Sequence, residues 1–221
     1  SASRRKWKTP LTSSHEEVCH MTIAQPDSSP TTDEALHIFT SSGALLHGHF
    51  IFTSGRHSDV YMQCAQVLKY PEHTERLAKH LASHFRNDAI DIVIGPAMGG
   101  IIVAYEVARQ LGATALFAER ENDKMGLRRS FAITPGRRVL VVEDVTTTGG
   151  SVREVIEVVR AHQGCVAGVG VLVDRSNGAI DFGVKQTAVL SIEIPSWEAD
   201  RCPLCREGRL PAVKPGSRAG R

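Results

Sequence analysis

The chain has 221 residues, of which 42% are hydrophobic, and a formal net charge of +2. A chain of this length can bury the core of one domain, and its near-balanced charge gives no support for a nucleic-acid-binding surface. No apolar stretch reaches the length of a membrane span and no charged-then-apolar leader is visible, so we expect a cytoplasmic protein. The five cysteines are an odd, scattered set, which argues against a disulfide framework.

The chain begins with a polar segment that shows no hydrophobic periodicity. Residues 1–32 are rich in Ser, Thr and Pro and are expected to form a disordered N-terminal tail, in which Met21 is a candidate initiator. Asp33 is typical of a helix N-cap, so folded structure is expected to begin there. The expected divisions are this tail, a folded domain over 33–200, and a C-terminal segment over 201–221 with a Cys-x-x-Cys turn and a mobile tail.

The folded part begins with two short strands and then alternates. The two strands are expected within 49–62, around a Ser54-Gly55-Arg56 turn, and Pro71 opens an amphipathic helix. Further strands are expected over 90–94, 114–118, 138–143, 166–173 and 188–192, and helices over 101–111 and 151–162. This alternation predicts an α/β fold in which a central, mostly parallel sheet is flanked by helices on both faces.

The most informative motif follows the strand at 138–143. Two adjacent carboxylates, Glu143 and Asp144, precede a loop rich in hydroxyls and glycines that runs into a helix. The loop and the helix start offer N–H groups and a positive dipole end to a phosphate, whereas the carboxylates suit hydroxyls or a metal ion. The glycines lack the following Lys of a P-loop and the G-x-G-x-x-G spacing of a dinucleotide fold. We interpret the motif as a ribose 5-phosphate site.

Three other segments are candidate site elements. The Gly95–Gly100 loop suits a diphosphate, although a tight glycine turn explains it equally well. The charged segment over 119–129 is either a solvated surface loop or a mobile lid that delivers Arg120 and Lys124 to a leaving diphosphate. Arg175 follows an apolar strand. Its guanidinium could make a bidentate contact to a carboxylated base, or it could pair with an acidic residue at the surface.

Taken together, these motifs resemble the orotate phosphoribosyltransferase family, whose fold is that of the type I phosphoribosyltransferases. The resemblance covers about 33–197 and implies a small N-terminal hood and a short Cys-containing C-terminal segment around the sheet. The matching elements are Gly43-Ala-Leu-Leu-His-Gly-His-Phe50, Thr53-Ser-Gly-Arg-His-Ser58, Gly95–Gly100, the Arg120 loop, Val139–Ser151 and Asp174-Arg175. The Val139–Ser151 motif alone identifies only the superfamily. The Ser-Gly-Arg turn and the Asp-Arg pair narrow the resemblance to the orotate branch.

The resemblance implies Mg²⁺-dependent transfer of the 5-phosphoribosyl group from phosphoribosyl diphosphate (PRPP) to orotate, giving orotidine 5′-monophosphate and diphosphate in pyrimidine (UMP) biosynthesis. Mg²⁺ would be carried mainly by PRPP, with no dedicated protein ligands for a metal. The hairpin over 54–61 would frame the base pocket. Family members are homodimers in which the charged loop closes over the neighbour's site. The implied catalytic residues are Lys124, Arg120 and Asp144. The implied PRPP-binding residues are Glu143, Asp144, Val145, Thr146, Thr147, Thr148, Gly149, Gly150, Ser151, Arg120 and Lys124, and the implied orotate-binding residues are Thr147 and Arg175.

The sequence departs from the family pattern where positive charge is expected. Thr53 and Gly99 stand where members often carry a lysine. Glu121 follows Arg120 where many members have a lysine, and the loop contains no His. Arg128 and Arg129 are candidates to compensate for the missing charge near the diphosphate.

The Cys202-Pro-Leu-Cys205 turn has the spacing of half a zinc site. Two such turns could pair in a dimer, or a nearby His and Cys64 could complete the ligand set. The simpler interpretation, which we retain at this point, is a reduced surface dithiol.

Two functional alternatives remain open. A purine phosphoribosyltransferase would share the PRPP loop but would lack the Ser54-Gly55-Arg56 turn and a use for Arg175. A PRPP-sensing regulatory protein that binds nucleotide and RNA should show a basic face, which the near-neutral composition does not favour.

Overall fold

The computed structural model describes residues 32–52 and 54–215. The predicted disordered tail (1–31 of it, with Met21), Thr53 and the last six residues lie outside these ranges. Within them, no helix has the length and apolar character that crossing a membrane would require.

The order of elements follows the predicted alternation. The helices are α1 (Thr32–Ser41), α2 (Ala65–Leu68), α3 (Pro71–Ser83), α4 (Gly99–Leu111), α5 (Gly150–Ala161) and α6 (Pro203–Glu207). The strands are β1 (Leu45–Ile51), β2 (His57–Met62), β3 (Ile92–Pro96), β4 (Thr114–Glu121), β5 (Lys124–Leu127), β6 (Arg138–Thr146), β7 (Cys165–Asp174) and β8 (Gln186–Ser191). Asp33 lies in the first turn of α1 rather than before it.

The large sheet has the strand order β5-β4-β3-β6-β7-β8. Strands β3, β4, β6, β7 and β8 run parallel, and only the edge strand β5 is antiparallel. The central strand β3 is buried along its whole length, as expected for a strand covered on both faces. The prediction of a mostly parallel sheet is therefore confirmed. The carboxyl ends of β3, β4, β6 and β7 meet at one edge, where ligands bind in sheets of this kind.

Helices cover both faces of this sheet. One apolar core lies between the sheet and α1, α3 and α4, with Leu77, Leu81 and Phe85 among its fully buried side chains. The other lies under α5, which buries Val152, Val155 and Val159 at helical spacing. These two cores fix the start of α5 beside the end of β6.

A small antiparallel sheet forms a hood beside the main sheet. Strand β1 pairs with β2, from Leu45 opposite Met62 to Ile51 opposite His57. The C-terminal segment lies against this hairpin through bridges from Trp197 to His57 and from Val213 to Phe50. Residues 207–215, for which the sequence predicts a mobile tail, are thus hydrogen-bonded to the hood as far as Val213.

The two cysteines of the 202–205 turn are not a surface dithiol. Cys202 is fully buried, whereas Cys205 is exposed. Cys64, the third cysteine considered for a metal site, lies elsewhere, and its thiol donates to the Asp144 carbonyl at 3.6 Å.

Candidate active site

The phosphate loop lies between the end of β6 and the start of α5. Gly149 precedes α5 in a left-handed conformation (φ 76°), and a Cβ there would approach the Phe182 ring to 2.9 Å. Side chains do not cap the helix start, so its N–H groups are available to an anion. A cavity of about 280 Å³ opens over these groups. It is lined by Arg120, Glu143, Val145, Thr146, Thr147, Thr148, Gly149, Gly150, Ser151 and Val152.

Glu143 is buried and lines this cavity, and it forms a carboxyl pair with the half-buried Asp144 beside it. Only 8% of Glu143 is exposed, and it accepts a hydrogen bond from the Asp144 N–H at 3.2 Å. Burial and the adjacent Asp144 carboxylate raise the pKa of Glu143 well above its usual range. Burial also raises the pKa of Asp144. A pair held in this way is stabilised by any ligand that donates hydroxyl hydrogen bonds or brings positive charge.

The raised pKa of Glu143 predicts how stability depends on pH. The folded state favours protonated Glu143, so its contribution is complete below the unfolded pKa, about 4.3, and is lost as pH rises through the higher folded value. Glu143→Gln removes this loss. We expect ligand-free Glu143→Gln protein to be more stable than wild type at pH 8, by about 1–2 kcal/mol, with a smaller difference at pH 5.

Urea unfolding at the two pH values measures this difference. Glu157→Gln, an exposed position on α5, serves as the matched control because it changes the same chemical group in solvent. The raised pKa of Glu143 would be contradicted if the free energy of unfolding of Glu143→Gln differed from that of wild type by the same amount at both pH values. It would also be contradicted if Glu143→Gln were less stable than wild type at pH 8.

The Gly95–Gly100 loop packs directly against the carboxyl pair. A Cβ built on Gly99 would overlap the carboxylate of Asp144, and one built on Gly95 would overlap the backbone of Gly100. The loop lies at the end of β3 and leads into α4. The Gly99 position, where family members often carry a lysine, therefore has no room for a side chain unless Asp144 moves. The predicted diphosphate loop is placed next to the predicted ribose site.

The charged segment over 119–129, predicted as a loop between two strands, forms a β-hairpin. Strand β4 continues to Glu121 and pairs with β5 across a turn at Asn122 and Asp123, both with positive φ (49° and 62°). This combination is typical of a two-residue hairpin turn. The hairpin projects beyond the sheet at the same edge as the phosphate loop.

The hairpin presents its cations in different directions. Arg120 lines the phosphate cavity and pairs with Glu154 of α5 at 2.7 Å. Lys124 is exposed and is absent from the lining of that cavity. The candidates for compensating charge are engaged within the hairpin, Arg128 with Glu121 and Arg129 with Glu119. Arg120 is thus the hairpin cation that the structure brings to the phosphate loop of its own chain.

Arg175 emerges beside the phosphate loop, as the predicted base-binding role requires. Thr146 and Asp174 are register partners on β6 and β7, so Thr147 and Arg175 leave neighbouring strand ends together. Burial lowers the pKa of Arg175, and its buried Nε has no hydrogen-bond partner among the described residues. An unsatisfied buried donor is costly, so a ligand with acceptor oxygens is favoured here.

The side chains around Arg175 were not predicted individually from the sequence. Its guanidinium lies 5.5 Å from the centre of the Phe52 ring, and Tyr61 and the thiol of Cys64 are close enough to influence its pKa. The hairpin of β1 and β2 therefore lies beside Arg175, where the sequence predicts the base pocket. Arg56 at its turn instead binds Ser196 and Glu198 of the C-terminal segment.

The geometry thus places a cavity suited to a phosphorylated sugar near a half-buried arginine whose unsatisfied Nε suits a flat, acceptor-rich group. Residues 64–200 match the family model described as the phosphoribosyl transferase domain. The chain is 62% identical over 188 residues to the orotate phosphoribosyltransferase of Pelotomaculum thermopropionicum, covering 85% of this chain and 98% of that protein. It is 60% identical over 186 residues to that of Desulforamulus reducens, covering 84% and 97%.

A solved structure agrees with these relatives. The crystal structure of orotate phosphoribosyltransferase from Aeropyrum pernix superposes with a TM-score of 0.58 at 29% identity, covering 71% of this chain and 92% of that one. The chain belongs to the phosphoribosyltransferase family, and within it to the orotate phosphoribosyltransferases.

Proposed function

We propose that the protein transfers the 5-phosphoribosyl group of PRPP to a ring nitrogen of orotate, releasing diphosphate and forming orotidine 5′-monophosphate. The observation that carries this proposal is the convergence of three groups at one sheet edge. The phosphate loop of α5, the carboxyl pair Glu143 and Asp144, and the guanidinium of Arg175 lie at adjoining strand ends. They suit the phosphate, the ribose hydroxyls and the carboxylated base, respectively.

The proposed reaction requires little covalent chemistry from the protein itself. As the bond from the anomeric carbon to the diphosphate breaks, positive charge develops on the ribose ring, and the base nitrogen forms the new bond from the opposite face. Positioning and electrostatic stabilisation supply the rate enhancement. Asp144 would hold the ribose hydroxyls and face the developing charge, whereas Arg120 would meet the negative charge of the phosphates.

Mg²⁺ is the proposed cofactor, carried mainly by PRPP. The carboxyl pair fits such a complex, because positive charge nearby favours the ionised form that burial opposes. When bound, Mg²⁺ spreads the charge of the departing diphosphate.

The proposal is tested by following the loss of orotate absorbance on mixing the protein with PRPP, Mg²⁺ and orotate, with adenine, hypoxanthine and uracil in parallel. We expect orotate consumption that requires both PRPP and Mg²⁺. Activity on a purine alone would retain the PRPP site and overturn the role of Arg175. PRPP binding without turnover of any base would favour a regulatory protein.

The proposed assembly is a cytoplasmic homodimer in which the hairpin over 119–129 serves two sites. Arg120 faces the phosphate cavity of its own chain, whereas Lys124 is exposed on the β5 side of the hairpin, where it can reach a partner. Free, unpaired cysteines among the described residues are consistent with a reducing compartment. Light scattering of the purified protein tests the dimer directly.

Mixing inactive variants distinguishes the role of Arg120 from that of Lys124. Equal amounts of Lys124→Ala and Asp144→Asn protein are mixed and allowed to re-associate. If Lys124 acts on the partner's site, half of the dimers are mixed, and each mixed dimer has one complete site. The mixture should then regain about a quarter of wild-type activity. The same mixture with Arg120→Ala should regain nothing, since Arg120 acts within its own chain. Recovery with Arg120→Ala, or none with Lys124→Ala, would contradict this division.

A further inference from the structure

A cluster of metal-binding side chains lies away from the active site, between the hood and the C-terminal segment. His49 of β1 and His57 of β2 meet Cys202 and Cys205, and one ligand atom from each lies within 4.8 Å of the other three. His49 and His57 are 4% and 8% exposed, and Cys202 is fully buried. This is the half-site suggested by the Cys-x-x-Cys spacing, completed by two histidines about 150 residues away in the sequence rather than by Cys64.

The spacing of the four atoms fits one tetrahedral ion. Cys202 Sγ and Cys205 Sγ each lie 3.6 Å from His49 Nε2, and Cys205 Sγ lies 3.3 Å from His57 Nδ1. The two imidazole nitrogens are 2.9 Å apart. Ligand atoms at about 2.0–2.3 Å from a common tetrahedral zinc ion are separated by about 3.3–3.8 Å. Small shifts of the two rings bring all four atoms to that arrangement.

The second nitrogen of His49 has the partner that a metal-ligating imidazole usually has. His49 Nδ1 lies 3.1 Å from the carbonyl oxygen of Leu210. A proton on Nδ1 donated to this carbonyl leaves the lone pair of Nε2 directed at the cluster. A backbone carbonyl that fixes the tautomer in this way is typical of ligands around zinc.

We infer that His49, His57, Cys202 and Cys205 form a structural zinc site that fastens the C-terminal segment to the hood. Two thiolates and two imidazoles are the donors that select Zn²⁺ over the harder Mg²⁺. The two thiolate charges balance those of the ion, so the complex can be buried without a net charge. Four protein ligands leave no open position, which makes the site structural rather than catalytic.

The C-terminal segment needs such a fastening because it buries almost nothing else. Between 196 and 215, Cys202 is the only buried residue. The segment is otherwise held by polar contacts to the hood. Arg56 binds Ser196 and Glu198, and the Val213 N–H and carbonyl pair with the His49 carbonyl and the Ile51 N–H, both at 2.8 Å. Short segments without an apolar core commonly rely on a metal or a disulfide, and metal binding supplies the missing free energy directly.

Metal analysis of the full chain, purified without chelator and under reducing conditions, tests the site. We expect about one zinc per chain in wild type and below about 0.2 in Cys205→Ser and His57→Gln. Cys165→Ser is the matched control, because Cys165 is a free and exposed cysteine on β7, and it should retain the full zinc content. Cobalt substitution of the wild-type protein should give the thiolate charge-transfer bands of a tetrahedral site.

A second measurement uses the wild-type protein alone, so it does not depend on the folding of any variant. Removing zinc with a chelator should increase amide hydrogen exchange over 197–213 by about tenfold or more, and added zinc should reverse the change. The inference is overturned if wild-type protein contains less than about 0.2 zinc and the reduced protein takes up none when zinc is added. It is also overturned if Cys205→Ser keeps its zinc, or if wild-type protein purified under reducing conditions holds a Cys202–Cys205 disulfide in place of zinc.

Discussion

Replacing Asp144 by Asn is expected to lower turnover by about 10²–10³-fold, the usual cost of removing one preorganised electrostatic group, while the fold stays intact. Asn has the shape of Asp and its side-chain oxygen can still accept from the Val145 N–H, a contact that measures 2.8 Å in the wild-type protein. What is lost is the negative charge that we propose faces the ribose as positive charge develops there. Steady-state kinetics with saturating orotate and PRPP, together with urea unfolding, measure the two effects separately.

The control for this variant is Asp33→Asn, which makes the same change in an exposed residue of the first turn of α1. It should leave turnover within about threefold of wild type. Near-normal turnover in Asp144→Asn would remove Asp144 from the catalytic residues. A large loss of stability together with the loss of turnover would assign Asp144 a structural role instead.

The position of Asp144 also explains a departure from the family pattern. A side chain at Gly99 would occupy the space of the Asp144 carboxylate. The absence of a lysine at Gly99 is thus matched by a carboxylate packed against the bare backbone of the diphosphate loop. Because the contact joins residues 45 positions apart, neither local composition nor spacing could have revealed it.

The main sheet was predictable because its signals are local. The apolar run that ends at Glu143 and Asp144 indicates a buried strand, and the glycines and hydroxyls that follow indicate a phosphate loop. The structure has both, with β6 ending at Thr146 and α5 beginning at Gly150. Where a strand end and a helix start are joined by a short loop, sequence alone fixes the geometry closely.

Elements that depend on distant partners were missed or misread. Strand β5 carries Lys124 and lies at the sheet edge, so it lacks the apolar run of a buried strand, although the Asn122-Asp123 turn was a local sign of a hairpin. The metal ligands His49 and His57 could not be paired with Cys202 from spacing, because only the folded hood and C-terminal bridges bring them together.

Replacing Arg175 by Ala is expected to raise the KM for orotate by about 10–100-fold, the equivalent of about 1.5–3 kcal/mol for a hydrogen-bonded charge. The KM for PRPP should stay within about threefold of wild type, because Arg175 does not line the phosphate cavity. Its half-buried guanidinium has an unsatisfied Nε and rests near the Phe52 ring, so it is held in place for an acceptor-rich base. Initial rates at varied orotate and saturating PRPP give the KM for orotate. Initial rates at varied PRPP and saturating orotate give the KM for PRPP.

A second variant at this position tests whether orotate binding depends on the bidentate geometry of the Arg175 guanidinium or only on its charge. Arg175→Lys keeps the positive charge but cannot make two parallel hydrogen bonds to a carboxylate, so it should recover only part of the lost affinity. Arg160→Ala, an exposed arginine on α5 that pairs with Glu157, is the matched control and should leave both KM values unchanged. Full recovery with Lys would reduce the role of Arg175 to a general positive charge. An equal rise in both KM values for Arg175→Ala would mean that the residue shapes the whole site rather than selecting the base.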